Sequence, residues 1–365
     1  MHAVFFYVSG HGFGHASRQI EIINALPADI HVFVRTSSAR WLFDRTVRRP
    51  FTYIYGETDT GVVQIDSLRL DERATIQRAA EFYRWLDTRA RDEATLLAGH
   101  GARLVVSDAP PLACAAAALA QIPSVVISNF TWDWIYEGYG TELLSEPQLI
   151  PTIQEAYRAA LAGWRLPMHG GFEPFASIVD LPFVARHAAH DRRCVRQRLD
   201  LPTETPLVLA SFGGYGLQDF DPRAIDCLDT YGVVVTTKEP GEQPSTPGLF
   251  IVAEREMYAR GLRYEDLVAA VDVVATKPGY GIVSECIAND TAVLYTSRGH
   301  FVEYAVLVAE MPRYLRCQFI ELDALLGGRW RAPLDALRDA PSPPERPPTD
   351  GAAVASRMIQ TALGF

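Results

Sequence analysis

VFFYVSGHGFGHASRQIEII, residues 4–23, holds the local pattern that decides the architecture. Ala3 to Val8 is an unbroken apolar run of strand length, and glycines follow at 10, 12 and 14. From Arg18 to Leu26 the apolar side chains take helical spacing, with Ile22, Ile23 and Leu26 on one side. A strand, a glycine loop and a helix in that order open a parallel α/β sheet. The loop carries histidines at 11 and 15 where nucleotide-binding loops carry a lysine or a third glycine. A G-x-G-x-x-G dinucleotide loop needs glycine at the position of His15, and its second strand ends near an acidic residue for the ribose. Here the second strand, Ile30 to Arg35, runs into Arg35-Thr36-Ser37. An arginine there is compatible with NADP, so on these residues alone a dinucleotide site stays open.

Outward from this unit the alternation continues. Leu68 to Leu97 reads as one long helix, Leu104 to Ser107 as a strand, Ala113 to Ala120 as a small-residue helix and Ser124 to Ser128 as a strand. The pattern restarts with a strand at Pro206 to Ser211, a second glycine loop FGGYG and a helix from Pro222 to Leu228. A strand at Gly232 to Thr236, a helix ending near Val271, a strand at Val273 to Thr276, a helix at Gly281 to Ala288 and a strand at Ala292 to Tyr295 complete it. This predicts two α/β halves, each a parallel sheet with right-handed crossovers. The turn-rich, charged stretch Pro167 to Arg198 is the junction, giving domains at 1–185 and 186–340. Residues 341–365 add a proline-rich spacer (APSPPERPPTD spans 340–350) and a last amphipathic helix.

With 365 residues, 48% hydrophobic and 21% charged, the chain can build two ordinary cores. Its charge of −10, from 34 basic and 44 acidic side chains, argues against a nucleic-acid partner and for a small molecule. The five cysteines form no C-x-x-C pair, which fits a reduced, cytoplasmic protein. The first apolar run lacks a positively charged lead, and Leu112 to Ile127 is broken by Gln121 and Pro123, so no membrane anchor is expected.

Several residues are candidates for chemistry. His15, at the carboxyl end of the first strand, is placed to take a proton from a hydroxyl or amine. Asp108, just past the third strand, opens on the same rim and can hold the imidazole; as an alternative it caps the helix that begins at Pro110-Pro111. His11 fits a structural donor to a loop carbonyl better than a catalyst. In KPGYGIVSE, residues 277–285, the free N–H groups of Gly279, Tyr280, Gly281 and Ile282 sit at a helix start, an anion site by geometry. Glu285 lies where it can accept from ribose hydroxyls. Gly213 and Gly214 of FGGYG either close over a diphosphate or form a plain tight turn. NFTWDWIYEGY, residues 129–139, sets Trp132 and Trp134 beside Asp133 as an acceptor wall, although such aromatics are more often core. Asp219-Phe220-Asp221 reads as a solvated turn, and His187 with His190 as a solvated face, so no metal is required.

GHGFGHASR, then VVSDAPPLACAAAALAQIPSVVISNFTWDWIY, then KPGYGIVSECI, spread over roughly residues 4 to 330, resemble glycosyltransferases of the GT-B fold. The likeness is strongest to the glycosyltransferase-like amino-terminal domain of plant L-arabinokinases. It extends more distantly to the peptidoglycan N-acetylglucosaminyltransferase and the UDP-glycosyltransferases. The resemblance implies two Rossmann-like parallel-sheet domains facing a central cleft, with a nucleoside-diphosphate sugar as co-substrate and no other cofactor. It makes His15 the base and Asp108 its orienting partner, and gives Glu285 the ribose. It gives His300 and Glu303 the donor sugar; His11, Gly12, Phe13, Trp132 and Asp133 are expected on the acceptor side. Retaining members carry a glutamate where Lys277 stands, so the resemblance points to inversion, with Lys277 on the phosphates. The function expected is metal-independent transfer of a sugar to a hydroxyl or amine of a soluble small molecule. A nucleotide-sugar hydrolase of the same fold and a non-catalytic nucleotide-sugar-binding module remain as alternatives.

Overall fold

A computed structural model describes residues 2–66, 68–212 and 220–364. In the first half the strands are β1 (His2–Tyr7), β2 (Ile30–Thr36), β3 (Phe51–Tyr55), a small antiparallel pair β4 (Val63–Gln64) and β5 (Leu70–Asp71), β6 (Ala102–Ser107), β7 (Ser124–Phe130), β8 (Ala162–Gly170) and β9 (Ile178–Asp180). All but β4 and β5 form one parallel sheet in the order β3-β2-β1-β6-β7-β8-β9. The second half has β10 (Leu207–Ser211), β11 (Gly232–Thr237), β12 (Leu249–Ala253), β13 (Val273–Thr276), β14 (Ala292–Tyr295) and β15 (Cys317–Phe319). They are parallel in the order β12-β11-β10-β13-β14-β15. In each sheet the order reverses beside the first strand, and that switch point opens a crevice at the strands' carboxyl ends.

Burial on both faces explains why β1 is apolar from Ala3 to Tyr7. Val4, Phe6 and Val8 pack with Ile20 and Ile23 of the helix Phe13–Ala25, in a core that continues into the second half through Tyr280 and Val283. Phe5 and Tyr7 point to the other face, against the helices Glu72–Arg84, Leu86–Gly99 and Pro111–Leu119. The strand's period of two thus feeds two separate cores.

Several local expectations change. The stretch 68–97 is not one helix: its first residues enter β5, and the remainder breaks at Trp85, which leaves helical geometry and is 60% exposed. Without a buried partner at that position nothing holds the two helices in line. The predicted helix 222–228 is only a 3₁₀ turn, Pro222–Ala224. Strands β3, β8, β9, β12 and β15 were not anticipated; most lie toward the sheet edges, where half-exposed side chains blur the apolar run.

The end of the chain is more than a spacer and a loose helix. The Phe183 N–H donates to the Pro348 carbonyl and its carbonyl accepts from the Gly351 N–H, Val184 forms a bridge with Asp350, and the helix Gly351–Ala362 returns to the first half. There Ala355 and Ile359 are fully buried, and Ser356 Oγ donates to the Ala25 carbonyl at 2.8 Å. Among the described residues no helix is long and apolar enough to cross a membrane.

Candidate active site

The helix Phe13–Ala25 begins at Gly12, whose φ of +79° is a conformation that favours glycine. Its first turns point His15, Arg18 and Gln19 at the ends of β6 and β7. Asp108 follows β6, is 0% exposed, and is tied to the sheet by its N–H, which donates to the Tyr7 carbonyl at 2.8 Å. It does not cap the next helix, which starts without a side-chain cap. One carboxylate oxygen of Asp108 accepts from His15 Nδ1. The other accepts from Arg18 Nη2, from Arg18 Nε at 3.2 Å and from Gln19 Nε2 at 3.2 Å. A carboxylate only accepts, so Nδ1 carries a proton, and in the neutral imidazole the lone pair is then on Nε2, the tautomer a base requires. Burial alone would raise the Asp108 carboxyl, but the Arg18 guanidinium and the His15 imidazole hold it well below the usual carboxylate range.

Under the histidines lies a floor that sequence reading did not anticipate as a unit. Trp132 stacks on His15 with ring centres 6.3 Å apart and meets His11 edge-on at 5.8 Å. Its Nε1 donates to Asp59 at 2.7 Å, and the second Asp59 oxygen accepts from Ser9 Oγ at 3.0 Å. Ser9 Oγ in turn accepts from the His11 N–H at 3.2 Å, so the glycine loop is braced from below. Burial pushes the Asp59 carboxyl up to about 6 despite these donors.

Burial, with His15, Arg298 and Lys277 nearby, lowers the His11 imidazole well below its ordinary value of 6.5. A base depressed in the folded state binds fewer protons than in the unfolded chain below pH 6.5, so its contribution to stability is lost as pH falls from there. Asp59 has the opposite sign, because its raised carboxyl gains a proton on the folded side first. Replacing His11 by Phe is therefore expected to recover on the order of 1–2 kcal/mol at pH 5 relative to pH 7. Thermal midpoints of the two proteins at both pH values measure the difference; equal pH slopes would mean that the ring is solvated.

The opposite wall comes from the second half. β13 ends at Thr276, and the loop Lys277 to Gly279 leads into the helix Tyr280–Ala288, which has no side-chain cap. Here the two halves touch: a methyl on Gly281 would lie 3.2 Å from the Gly14 Cα, so two helix amino termini converge across the cleft. The cleft encloses about 420 Å³. Its walls include Gly12, Phe13 and His15 on one side, and Lys277, Gly279, Tyr280, Gly281, Ile282 and Glu303 on the other. Burial, then the neighbouring Arg298, lowers the Lys277 ammonium to about 7. Glu303 accepts from Asn129 Nδ2 at 2.7 Å and from Arg298 Nη1 at 3.3 Å. Asn129 in turn accepts from Arg18 Nη1 at 2.7 Å, so one polar chain runs from the His15 pair into the second half. Sequence reading passed over Arg18, Asn129, Arg298 and Asp59. The serine–arginine end of GHGFGHASR was the one available signal, since an arginine one turn beyond a histidine shares its helix face.

No family model matches the chain. It is 31% identical over 376 residues to the L-arabinokinase of Arabidopsis thaliana, an alignment that takes in 100% of this chain and 35% of that protein. The chain thus spans about a third of that relative's length. Its backbone matches the calicheamicin glycosyltransferase CalG4 with a TM-score of 0.62 at 16% identity, over 100% of this chain and 98% of that one. It matches UGT2 of Phytolacca americana, solved with UDP-2-fluoro-glucose and pterostilbene, with a TM-score of 0.61 at 10% identity, over 99% and 94%. The fold is GT-B.

Within this GT-B frame some expected site residues lie elsewhere. Trp132 is 0% exposed and offers no face to an acceptor; it supports the histidines instead. Asp133 is buried too and does not line the cleft, with Oδ1 lacking a partner among the described residues, while Phe13, 43% exposed, does reach the cleft. His300 pairs with Glu72 at 2.9 Å on the outer rim and does not line the cleft. Glu285 is buried and bound by Arg186, whose Nε donates to it at 2.6 Å, beside a narrow gap rather than in the main cleft. Burial moves its carboxyl up to about 6 even with that arginine. Gly213 and Gly214 lie outside the described residues. Arg35, which kept a NADP site open, is bound by Glu93 at 3.1 Å, and Glu93 also accepts from Tyr7 at 2.8 Å. His187 contacts Thr349, His190 contacts Asp266, and Asp221 pairs with Arg223. No group of three potential metal ligands occurs among the described residues.

Proposed function

We propose that the protein is an inverting glycosyltransferase with no metal requirement, which moves a sugar from a nucleoside diphosphate to a hydroxyl or amine of a small-molecule acceptor. The observation that carries this reading is the His15–Asp108 pair, with Nδ1 turned to the carboxylate so that Nε2 is the nitrogen left to act as base, on the wall opposite an uncapped helix amino terminus and Lys277. The acceptor hydroxyl gives its proton to His15 Nε2 as its oxygen attacks the anomeric carbon. The new C–O bond forms as the bond to the diphosphate breaks on the opposite face, so configuration inverts. The departing electron pair settles on the diphosphate, which the N–H groups of Gly279 to Ile282 and the Lys277 ammonium stabilise. Asp108 stabilises the imidazolium that results. With Lys277 where a retaining enzyme has a carboxylate, no side chain is offered for a double displacement at that position.

A thermal-shift screen with UDP, GDP, dTDP, ADP, CDP and NADPH, repeated on Lys277→Met, tests the donor half of the reading. One nucleoside diphosphate is expected to stabilise the wild type, by about 2.7 kcal/mol at one hundred times its Kd, and the variant to lose most of that response. A shift with NADPH alone would overturn it. Incubating the matching nucleotide sugar with and without acceptors then separates transfer from hydrolysis: release of free sugar at equal rates in both would make water the acceptor.

A further inference from the structure

We propose that Arg298 is a second cationic ligand for the donor's diphosphate, forming with Lys277 a clamp over the amino terminus of the helix Tyr280–Ala288. The inference rests on the donor-site reading above. Arg298 lies on the loop between β14 and the helix Glu303–Tyr314, and its side chain is 11% exposed. Its guanidinium carbon stands 4.0 Å from the centre of the Phe301 ring, which fixes its plane. Among the described residues, both of its hydrogen bonds come from Nη1, to the Pro278 carbonyl and to Glu303 Oε2, each at 3.3 Å. Nη2 and Nε are left for a ligand. A Cβ on Gly279 would lie 3.8 Å from Nη1, so the cation sits over the residue that opens the helix.

By itself this placement is unfavourable. A helix amino terminus carries a partial positive charge and favours anions, yet two cationic side chains have been brought to it and partly buried. A second helix amino terminus adds to the same sign where Gly14 meets Gly281. Among the described residues the charges of both Arg298 and Asp66 act on Lys277, the second partly offsetting the first, and His11 across the cleft senses both cations. Glu303 offsets Arg298, but it is shared with Asn129. An anion bound between the cations removes the repulsion, and two cations with two helix ends match a diphosphate better than a single phosphate. Lys277, brought to about 7 by burial and by Arg298, then takes up a proton from solvent when the anion arrives. Binding is accordingly expected to weaken as pH rises above 7.

Isothermal titration with inorganic pyrophosphate and with orthophosphate tests this, in two buffers of different ionisation enthalpy at pH 6.5 and 8.5. Wild type is expected to prefer pyrophosphate, to bind it more weakly at pH 8.5 and to absorb a fraction of a proton. Arg298→Gln should weaken pyrophosphate binding about tenfold or more, a charged hydrogen bond being lost, with Arg298→Lys between the two. Lys277→Met should abolish the proton uptake. Circular dichroism establishes that each variant is folded; should Arg298→Gln be unfolded, the proton uptake of wild type and Arg298→Lys decides. Pyrophosphate affinity unchanged in folded Arg298→Gln, or no proton uptake in wild type, overturns the clamp. If nucleoside diphosphates still bind normally to that variant, the donor reading survives without it. If wild type holds pyrophosphate but no nucleotide more tightly, the clamp stands and the donor reading falls.

Discussion

His15→Ala is expected to lower turnover of the nucleotide sugar by roughly 10²–10⁴-fold while leaving nucleotide binding intact, the range a positioned general base contributes. The nucleotide contacts proposed for Lys277 and the Gly279–Ile282 amides lie on the other wall, so the thermal shift with the nucleoside diphosphate should persist in the variant. Asp108→Asn should lose a comparable factor, because the amide cannot accept from Nδ1, Arg18 and Gln19 together and permits the wrong imidazole tautomer. Two residues acting as one unit are not additive, so the double variant should be little worse than either single one. Full activity in His15→Ala, measured as kcat/KM in the presence of acceptor, would remove it as the base.

Arg186→Met is expected to cost about 3–5 kcal/mol of stability, the largest effect on folding foreseen for a single side chain here. Arg186 stands at the junction of the halves and bridges two carboxylates, donating to Glu285 and lying 3.3 Å from Glu265. Both acids are buried, and with the cation removed Glu285 is stranded beside the like charge of Glu265, which keeps only Arg263 Nη1 at 3.5 Å. Adding Glu285→Gln and Glu265→Gln to Arg186→Met should restore most of the loss, since the penalty comes from stranded charge and not from lost packing. Denaturant unfolding of the three proteins measures this. A cost below about 1 kcal/mol for Arg186→Met would show that water reaches the cluster and screens it.

Glu285 also illustrates where reading the chain stops. Its place in KPGYGIVSE is evident, and the strand before it, β13, runs over the residues expected, because strand period, a glycine loop and a helix start are local signals. That its charge is held by an arginine 99 positions away is not local. The same holds for Trp132. An aromatic after a strand end reads equally well as core or as binding wall, and only packing against His15, His11 and Asp59 makes it a floor.

By itself the sequence determined the two parallel α/β halves, the glycine loop with His15, Asp108 at the end of its strand, and the glycine turn at Lys277 to Ile282 that opens a helix. Each depends on backbone hydrogen bonding and hydrophobic period within a dozen or so residues. Only the tertiary structure decided how those pieces face one another. It joined Arg18 to Asn129 and Asn129 to Glu303, 111 and 174 positions apart. It laid the last helix back on the first half and moved Trp132, Asp133, His300 and Glu285 off the cleft walls. A polar side chain on a helix or loop looks the same in sequence whether water or a distant residue satisfies it. Burial makes the partner obligatory, and burial is settled by how the two sheets and their helices pack.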